Sequence, residues 1–141
     1  MYNTDVAVFI TQMEGVTNMA WNLNSDRPIY AQIVEIIQMQ LVSGYYRPGD
    51  KLPSVRELAA VACVNPNTMQ KAFSELERSG LIITQRTSGR SVTEDYEMIK
   101  EVQKDLAKTQ INIFLKKMTE LGFEREEIMM LLENEAKEDN L

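Results

Sequence analysis

The chain has 141 residues and a formal net charge of −6, with 44% hydrophobic and 26% charged residues, which is typical of a soluble globular protein. It contains no histidine and a single cysteine, Cys63, which excludes Ser-His and Cys-His catalysis and an intramolecular disulfide framework. We therefore expect no enzyme, no cofactor and no metal site. The lone cysteine fits a cytoplasmic location. We expect no membrane partner, because there is no secretory signal and no apolar run of about 18 residues.

The negative charge is unevenly distributed along the chain. Residues 1–21 carry two acids and no bases, residues 22–95 carry eight of each, and residues 96–141 carry seven bases and eleven acids. Within the middle segment, Arg47, Lys51 and Arg56 lie close together in the sequence, and so do Arg86 and Arg90. Local patches, more than the total charge, decide whether a protein holds phosphate. The middle segment is therefore where an acidic chain of this kind could still bind DNA.

Residues 1–21 show no clean amphipathic period and are interpreted as an N-terminal extension. The tripeptide Met13-Glu14-Gly15 requires the codons ATG GAG GGN, which contain GGAGG, a bacterial ribosome-binding sequence, shortly before the codon for Met19. We therefore expect translation to start at Met19, with residues 1–18 assigned to the protein in error. The alternative is that the tripeptide occurs by chance.

The first predicted helix opens at Asp26 and carries Pro28 in its first turn, where the missing N–H costs nothing. Gly44 ends it, because glycine readily takes the left-handed conformation of a helix C-terminus. The apolar residues recur at helical spacing and predict one face turned to a core. They are Tyr30, Ile33, Val34, Ile37 and Leu41.

Two more helices follow, joined by a tight turn. The second is short and starts with a capping box, in which Ser54 accepts from the third helical N–H and Glu57 reaches back. Asn65 as the cap and Pro66 at the first helical position start the third helix. The predicted inward-facing residues are Leu58, Ala59 and Ala62 in the second helix and Met69, Ala72, Phe73 and Leu76 in the third.

A β-hairpin, here called the wing, follows the third helix. Strand-like segments at residues 81–84 and 91–93 flank a predicted loop, Gln85–Arg90, in which Gly89 can take positive φ. Two helices joined by a tight turn and followed by a hairpin form a winged helix-turn-helix. The predicted fold class is therefore α+β, with a winged-helix DNA-binding domain over residues 22–94.

The third helix presents a polar face opposite its apolar stripe. In helix-turn-helix proteins the N-terminal residues of this helix contact base edges, and Asn, Gln, Thr and Lys are suited to that role. Arginines on the preceding helix and in the wing would hold the phosphate backbone. A lone polar face is more often simply solvated, but the elements around this one favour DNA. The predicted contacts are Arg56, Asn67, Thr68, Gln70, Lys71, Arg86 and Arg90.

The stretches PIYAQIVEIIQMQLVSGYYRPGDKLPSVRELA, VNPNTMQKAFSELERSGLI and SGRSV resemble the GntR family of bacterial regulators, and Asn-Pro-Asn-Thr is similar to its YtrA subfamily. The resemblance implies a dimeric transcription factor, usually a repressor, of a small operon such as an ABC transporter operon. It adds Thr87 and Gly89 of the wing to the expected DNA contacts. The chain departs from the family at Cys63, where glycine is usual, and at Gln70, where arginine is common, so the operator sequence stays open.

Residues 95–141 are predicted to form a helical dimerisation segment of two helices separated by Gly122. Its long apolar stripe would stay exposed on a monomer, and such patches usually mark a partner surface. The stripe consists of Ile99, Val102, Leu106, Ile113, Phe114, Met118 and Leu121. A homodimer suits a palindromic operator in double-stranded DNA, because two recognition helices then meet two half-sites.

Three alternatives stay open. The acidic net charge allows a winged-helix protein-interaction module without sequence-specific DNA binding. A small-molecule effector, if the protein has one, would bind at the dimer seam or between the two domains. Cys63 is either a thiol switch or a small residue tolerated in a tight turn, and the second is favoured because no base sits immediately beside it to lower its pKa.

Overall fold

The computed structural model describes residues 21–138, so the predicted translation start and residues 1–18 lie outside the described residues. Within that range the elements are α1 Ile29–Val42, α2 Val55–Ala62, α3 Pro66–Arg78, β1 Ile82–Gln85, β2 Gly89–Val92, α4 Tyr96–Glu120 and α5 Arg125–Glu138. The two strands form one antiparallel sheet. This order confirms the predicted α+β winged helix followed by C-terminal helices. None of these helices has the length and hydropathy of a membrane span.

The core of the winged helix lies between α1, α2, α3 and the base of the hairpin. The predicted inward-facing residues of α2 and α3 are confirmed in full, because all seven are buried. From α1, Ile33, Ile37 and Leu41 join them, and Tyr30 packs at the edge. Trp21, which the sequence analysis placed in the N-terminal extension, belongs to the same core and is 4% exposed.

The start of α1 differs from the prediction, since the helix begins at Ile29 and not at Asp26. Gln32 accounts for the later start. Its side-chain amide donates to the carbonyls of Asn24 and Arg27 at 2.7 and 3.0 Å, and its oxygen accepts from the Asn24 N–H at 2.8 Å. These bonds hold the preceding residues in a turn outside the helix. Helical spacing alone does not reveal such a contact.

The turn between α2 and α3 is tight because Cys63 ends α2 in the left-handed conformation, with φ at 55° and ψ at 46°. Among the described residues, Cys63 is the one non-glycine position with positive φ. Glycine takes this conformation at the lowest cost. The backbone at this position therefore favours the glycine that the family resemblance implies there.

The two caps of the helix-turn-helix differ in completeness. The Ser54 hydroxyl accepts from the Glu57 N–H at 3.1 Å, as predicted. In residues 21–138, however, the Glu57 carboxylate makes no bond back to the Ser54 N–H, so only half of the predicted capping box forms. At the start of α3, the Asn65 side chain accepts from the Asn67 N–H at 2.8 Å.

The hairpin has a shorter loop than predicted, because β1 is shifted by one residue and β2 begins earlier and is one residue longer. Gln85 pairs with Gly89 and Thr84 with Arg90, so the ends of the predicted loop belong to the strands. The loop itself spans residues 86–88. Gly89, the first residue of β2, has φ at 79°, in the left-handed region that glycine adopts at little cost.

The chain divides into two compact units after Gln103, within α4. In the second unit, over residues 104–138, Gly122 with φ at 95° lies in the turn between the two helices, as predicted. Ile128 is buried there at 2% exposure. The large apolar side chains of this unit that stay exposed are Ile111, Ile113, Phe114, Leu121, Met129, Met130, Leu131 and Leu132.

Candidate nucleic-acid interface

α3, the recognition helix, buries one side and presents the other to solvent. Asn67, Gln70 and Lys71 are exposed, and Thr68 is half-buried at the edge of the buried stripe. All four lie toward the N-terminus of the helix, where unpaired backbone N–H groups attract phosphate. The structure therefore brings the predicted base-reading residues together at the end of the helix that enters the major groove in this motif.

The start of the recognition helix is well fixed. The Asn65 carbonyl accepts from the Thr68 and Met69 N–H groups at 3.0 and 3.1 Å, in addition to the side-chain cap. Further along, the Ser74 hydroxyl donates to the Gln70 carbonyl at 3.0 Å, and the Gln70 amide reaches the Ser74 oxygen at 3.3 Å. The amide bond is long and exposed, so the Gln70 side chain can turn to a base edge at little cost.

Lys71 has a partner that the sequence analysis did not predict. Its ammonium nitrogen lies 4.0 Å from the centre of the Tyr30 ring, which is contributed by α1. An exposed cation–π contact of this kind contributes about 0.5–1 kcal/mol. This energy is small, so the contact orients Lys71 without preventing it from reaching phosphate or guanine.

The three predicted arginines have different surroundings. Arg56 on α2 and Arg86 in the hairpin loop are exposed, and neither forms an ion pair within residues 21–138. Arg90 is half-buried, pairs with Glu77 of the recognition helix, and places its guanidinium carbon 5.4 Å from the centre of the Phe73 ring. Arg56 and Arg86 are therefore free to hold phosphate, whereas Arg90 already has an intramolecular partner.

The wing adds two further residues from the predicted set and one from outside it. Thr87, in the loop, and Gly89, at the start of β2, are exposed. Lys51 forms an isolated bridge with Ser91, which places another exposed cation beside β2. Its position close to Arg56 in the sequence was a signal for this. Spacing alone could not reveal the pairing with the wing.

Sequence reasoning also missed Glu77. It lies four residues after Phe73, so both occupy the same edge of the recognition helix. That spacing gives no sign that the arginine of the wing reaches across to this edge. The pairing depends on the fold of the hairpin, in which Arg90 lies opposite Thr84.

The predicted dimerisation residues do not share one environment. Ile99 and Val102 pack against the core of their own winged helix, and Leu106 and Met118 are half-buried. The remaining three are exposed, with Ile113 at 44%, Phe114 at 37% and Leu121 at 71%.

The apolar residues of α4 follow two faces and not the single stripe that was predicted. At about 100° per residue, Ile113 continues the face of Val102, whereas Phe114, Met118 and Leu121 lie on another. Exposed Ile111, which was absent from the predicted set, joins this second face.

A hollow of about 390 Å³ lies beside the helix-turn-helix turn, and its lining carries no charged residue. The lining residues are Trp21, Leu23, Ile29, Ala62, Cys63, Val64, Asn65 and Thr68. The Cys63 thiol is exposed and donates to the Ala60 carbonyl at 3.7 Å. No cluster of three or more acidic, histidine or cysteine side chains within residues 21–138 is placed to hold a metal ion.

Comparison with known proteins gives one consistent result. Residues 29–92 match the profile of the bacterial regulatory proteins of the gntR family. The transcriptional regulator YhcF of Bacillus subtilis is 44% identical over 105 residues, which cover 74% of this chain and 87% of the relative. The transcriptional repressor YtrA of the same organism is 45% identical over 91 residues, 58% of this chain and 70% of that protein. A GntR-family regulator from Listeria monocytogenes has a similar structure, with a TM-score of 0.72 and 41% identity, covering 79% of this chain and 98% of the other.

Proposed function

Because the chain belongs to the GntR family of bacterial transcriptional regulators, we propose that it is a homodimeric repressor that binds a palindromic operator in the cytoplasm. The observation that carries the proposal is the exposed polar start of the recognition helix. Unpaired cations lie on the elements before and after it, Arg56 on α2 and Arg86 in the wing. A polar helix face that only contacts solvent would not require unpaired cations on both neighbouring elements.

The residues divide into two roles. Asn67 and Gln70 carry side-chain amides that can pair with adenine in the major groove, and Thr68 can contact a thymine methyl group. Arg56 and Arg86 hold the phosphate backbone and set the register of the helix. In this scheme the amides determine which sequence is bound, and the arginines contribute affinity that depends on salt.

Three further residues complete the proposed surface. Lys71 reaches phosphate or guanine from its position over Tyr30. Thr87 and Gly89 let the wing approach the backbone closely, since glycine adds no side chain at the turn. A Cβ on Gly89 would meet no atom within 4 Å, so its left-handed φ, and not crowding within the protein, favours glycine there.

Repression is the proposed direction of regulation. Its support is the 45% identity to a relative named a transcriptional repressor. The target proposed from the family resemblance is a small operon, such as an ABC transporter operon. A reporter under the selected operator should rise in expression when the gene for this protein is deleted. A fall in expression would instead show activation.

Homodimerisation is supported by the exposed apolar side chains of residues 104–138. Phe114 and Leu121 on α4 and Met130 on α5 are between 37% and 71% exposed. Patches of this kind mark partner surfaces in soluble proteins. A two-fold dimer would place two recognition helices on two half-sites, which is why the proposed operator is palindromic.

The proposal is tested by selecting bound sequences from a random duplex pool and titrating the winner by fluorescence anisotropy at several salt concentrations. We expect a palindromic winner and an affinity that falls steeply as salt rises. Gln70→Ala should weaken binding to that operator by about 1–3 kcal/mol and relax the preference at one base pair. Arg56→Ala should lower the salt slope by about one.

Arg78→Ala is the matched control. Arg78 is an exposed arginine of the same helix, but it lies in the last turn and pairs with Glu75 at 2.5 Å, so its loss should leave binding nearly unchanged. If no sequence is enriched and binding does not depend on salt, the recognition face serves a protein partner, and the proposal fails.

A further inference from the structure

We propose that Glu77 is a positioning residue: its ion pair with Arg90 fixes the wing against the recognition helix, so that Arg86 in the loop meets the DNA backbone. The inference deepens the proposed function and rests on it. It also changes the role expected for Arg90, from a direct phosphate contact to a link between two DNA-contacting elements.

The apolar core holds only the base of the wing. Ile82 at the start of β1 and Val92 at the end of β2 are buried, at 2% and 1% exposure. The rest of β1 is exposed, and Gly89 on the facing strand is exposed as well. Burial therefore does not fix the outer half of the hairpin, which carries the loop with Arg86.

Backbone hydrogen bonds also join β2 to the segment that precedes α2. They lie at Arg90 or between Arg90 and the base of the hairpin, and within residues 21–138 none lies closer to the loop. The Val92 N–H donates to the Asp50 carbonyl at 2.8 Å, and the Leu52 N–H donates to the Arg90 carbonyl at 2.9 Å. Arg90 is therefore the outermost of these attachment points, and its side chain continues the attachment to the recognition helix through Glu77.

The pair has surroundings that favour a positioning role. Its side chains are 25% exposed for Arg90 and 30% for Glu77, so solvent and salt screen it less than a fully exposed pair. The guanidinium also lies near the ring of Phe73, which is fully buried. Arg90 thus contacts the recognition helix at two points, one ionic and one aromatic.

The other two ion pairs within residues 21–138 do not serve this purpose. Arg78 and Glu75 belong to the same helix, and Arg27 pairs with Glu35 on α1, the helix that follows it. Among the described residues, the Arg90–Glu77 pair is the one that joins the wing to a helix.

Removing Glu77 should change the affinity for DNA, and the two possible roles of Glu77 predict opposite directions for that change. If Glu77 were only an anion close to DNA, or only a competitor for Arg90, its loss would strengthen binding, because one repulsive charge would vanish. If Glu77 positions the wing, its loss should weaken binding, although the protein becomes less acidic. The sign of the effect decides between the two.

The test titrates Glu77→Gln and Arg90→Gln on the selected operator at several salt concentrations and measures amide hydrogen exchange of the free proteins. We expect each variant to bind about tenfold more weakly, with a salt slope lower by about one because Arg86 loses its phosphate. Adding Arg86→Ala to Glu77→Gln should cause little further loss. Exchange over residues 83–90 should accelerate.

Two variants guard against an unspecific effect on folding. The charge exchange, Glu77→Arg with Arg90→Glu, restores the pair and should recover both slow exchange and most of the affinity. Glu75→Gln removes an acid from the same helix and should change neither measurement.

Tighter or unchanged binding by Glu77→Gln, with unchanged exchange, would overturn the inference. It would also fail if Arg90→Gln lowered the salt slope while Glu77→Gln did not, because Arg90 would then contact phosphate itself. If the wild-type protein binds no duplex, the proposed function fails and the role in DNA binding fails with it. The exchange measurements then still report whether Glu77 holds the wing.

Discussion

The two units of the chain use their apolar residues in opposite ways. In residues 21–103 the apolar residues of the helix-turn-helix are buried in one cluster, and Ile33, Phe73 and Met69 are fully enclosed. In residues 104–138 Ile128 is buried, while most other large apolar side chains stay exposed. The first unit has a core of its own. The second leaves large apolar side chains on its surface, where the proposed dimer would cover them.

The helices show the same contrast in their patterning. The recognition helix has one apolar stripe and one polar face, as expected for a helix packed on one side. In α5 four consecutive apolar residues, at positions 129–132, are all exposed. Consecutive residues point to different sides of a helix, so a single contact surface cannot cover all four. The proposed dimer should therefore bury more than one side of this helix.

The largest expected effect comes from opening the core of the first unit. Leu76→Ala removes a side chain that is 1% exposed on the recognition helix, and we expect the free energy of unfolding to fall by about 2–5 kcal/mol. Urea denaturation followed by circular dichroism measures this loss. Ile83→Ala, at a side chain that is 45% exposed, is the control and should cost about 0.5 kcal/mol or less. Equal losses would contradict the assignment of the core.

The next effect tests assembly by the second unit. Phe114→Glu places a charge on the exposed face of α4 and should weaken dimerisation at least about 100-fold, because a buried unpaired charge is costly. Sedimentation equilibrium measures the change. Asn112→Glu adds the same charge two residues earlier, on a different side of the helix, and should leave the dimer intact. A wild-type monomer, or equal loss in both variants, would contradict the proposed interface.

A smaller effect is expected in the pH dependence of the stability of the first unit. Tyr46 packs at the edge of the core, and burial, together with the nearby Tyr45, raises its pKa to about 12. In the unfolded chain the tyrosine pKa is near 10, so between about pH 10 and 12 the unfolded chain loses this proton while the folded protein keeps it. The free energy of unfolding that Tyr46 contributes below pH 10 is therefore lost as the pH rises through this range.

Allowing for partial exposure, the loss assigned to Tyr46 should be about 1–2 kcal/mol. Tyr46→Phe should remove that part of the decline in urea denaturation midpoints between pH 9 and 12. Tyr96→Phe, at a side chain that is 65% exposed, should follow the wild type. An unchanged decline in Tyr46→Phe would mean that other groups cause it.

The smallest effect concerns the turn of the helix-turn-helix. Cys63→Gly should stabilise the first unit by about 0.5–1 kcal/mol, because glycine takes the left-handed φ of 55° without strain. Ala60→Gly, at an exposed helical position of α2, should destabilise it by a similar amount. Thermal unfolding of both variants measures whether the stability rises in the first and falls in the second. A loss of stability in Cys63→Gly would show that the thiol contributes contacts that outweigh the strain.

The sequence was sufficient where structure depends on local rules. The buried residues of α2 and α3 followed from helical spacing, and the start of α3 followed from Asn65 and Pro66. Positive φ at Gly44 and Gly122 matched the predicted helix ends. Each of these signals acts over a few residues, so a single sequence contains all the information needed.

The differences arose where distant residues meet. The later start of α1 depends on Gln32 bonding back to Asn24. Two predicted DNA contacts have partners on neighbouring elements: Lys71 contacts Tyr30, and Arg90 pairs with Glu77. The spacing of residues in the sequence does not specify how those elements pack together. The exposed polar face that we propose binds DNA could thus be located from the sequence. The side chains that orient its cations could not.

Trp21 gives the molecule a built-in optical label for one of its two units. It is the single tryptophan of the chain, its indole N–H has no hydrogen-bond acceptor in the described residues, and it shares a hollow with Thr68 of the recognition helix. Its emission should be blue-shifted in the folded protein and move to the red when residues 21–103 unfold. Far-ultraviolet circular dichroism reports both units together. The difference between the two signals would resolve the melting of residues 21–103 from that of residues 104–138 without any attached dye.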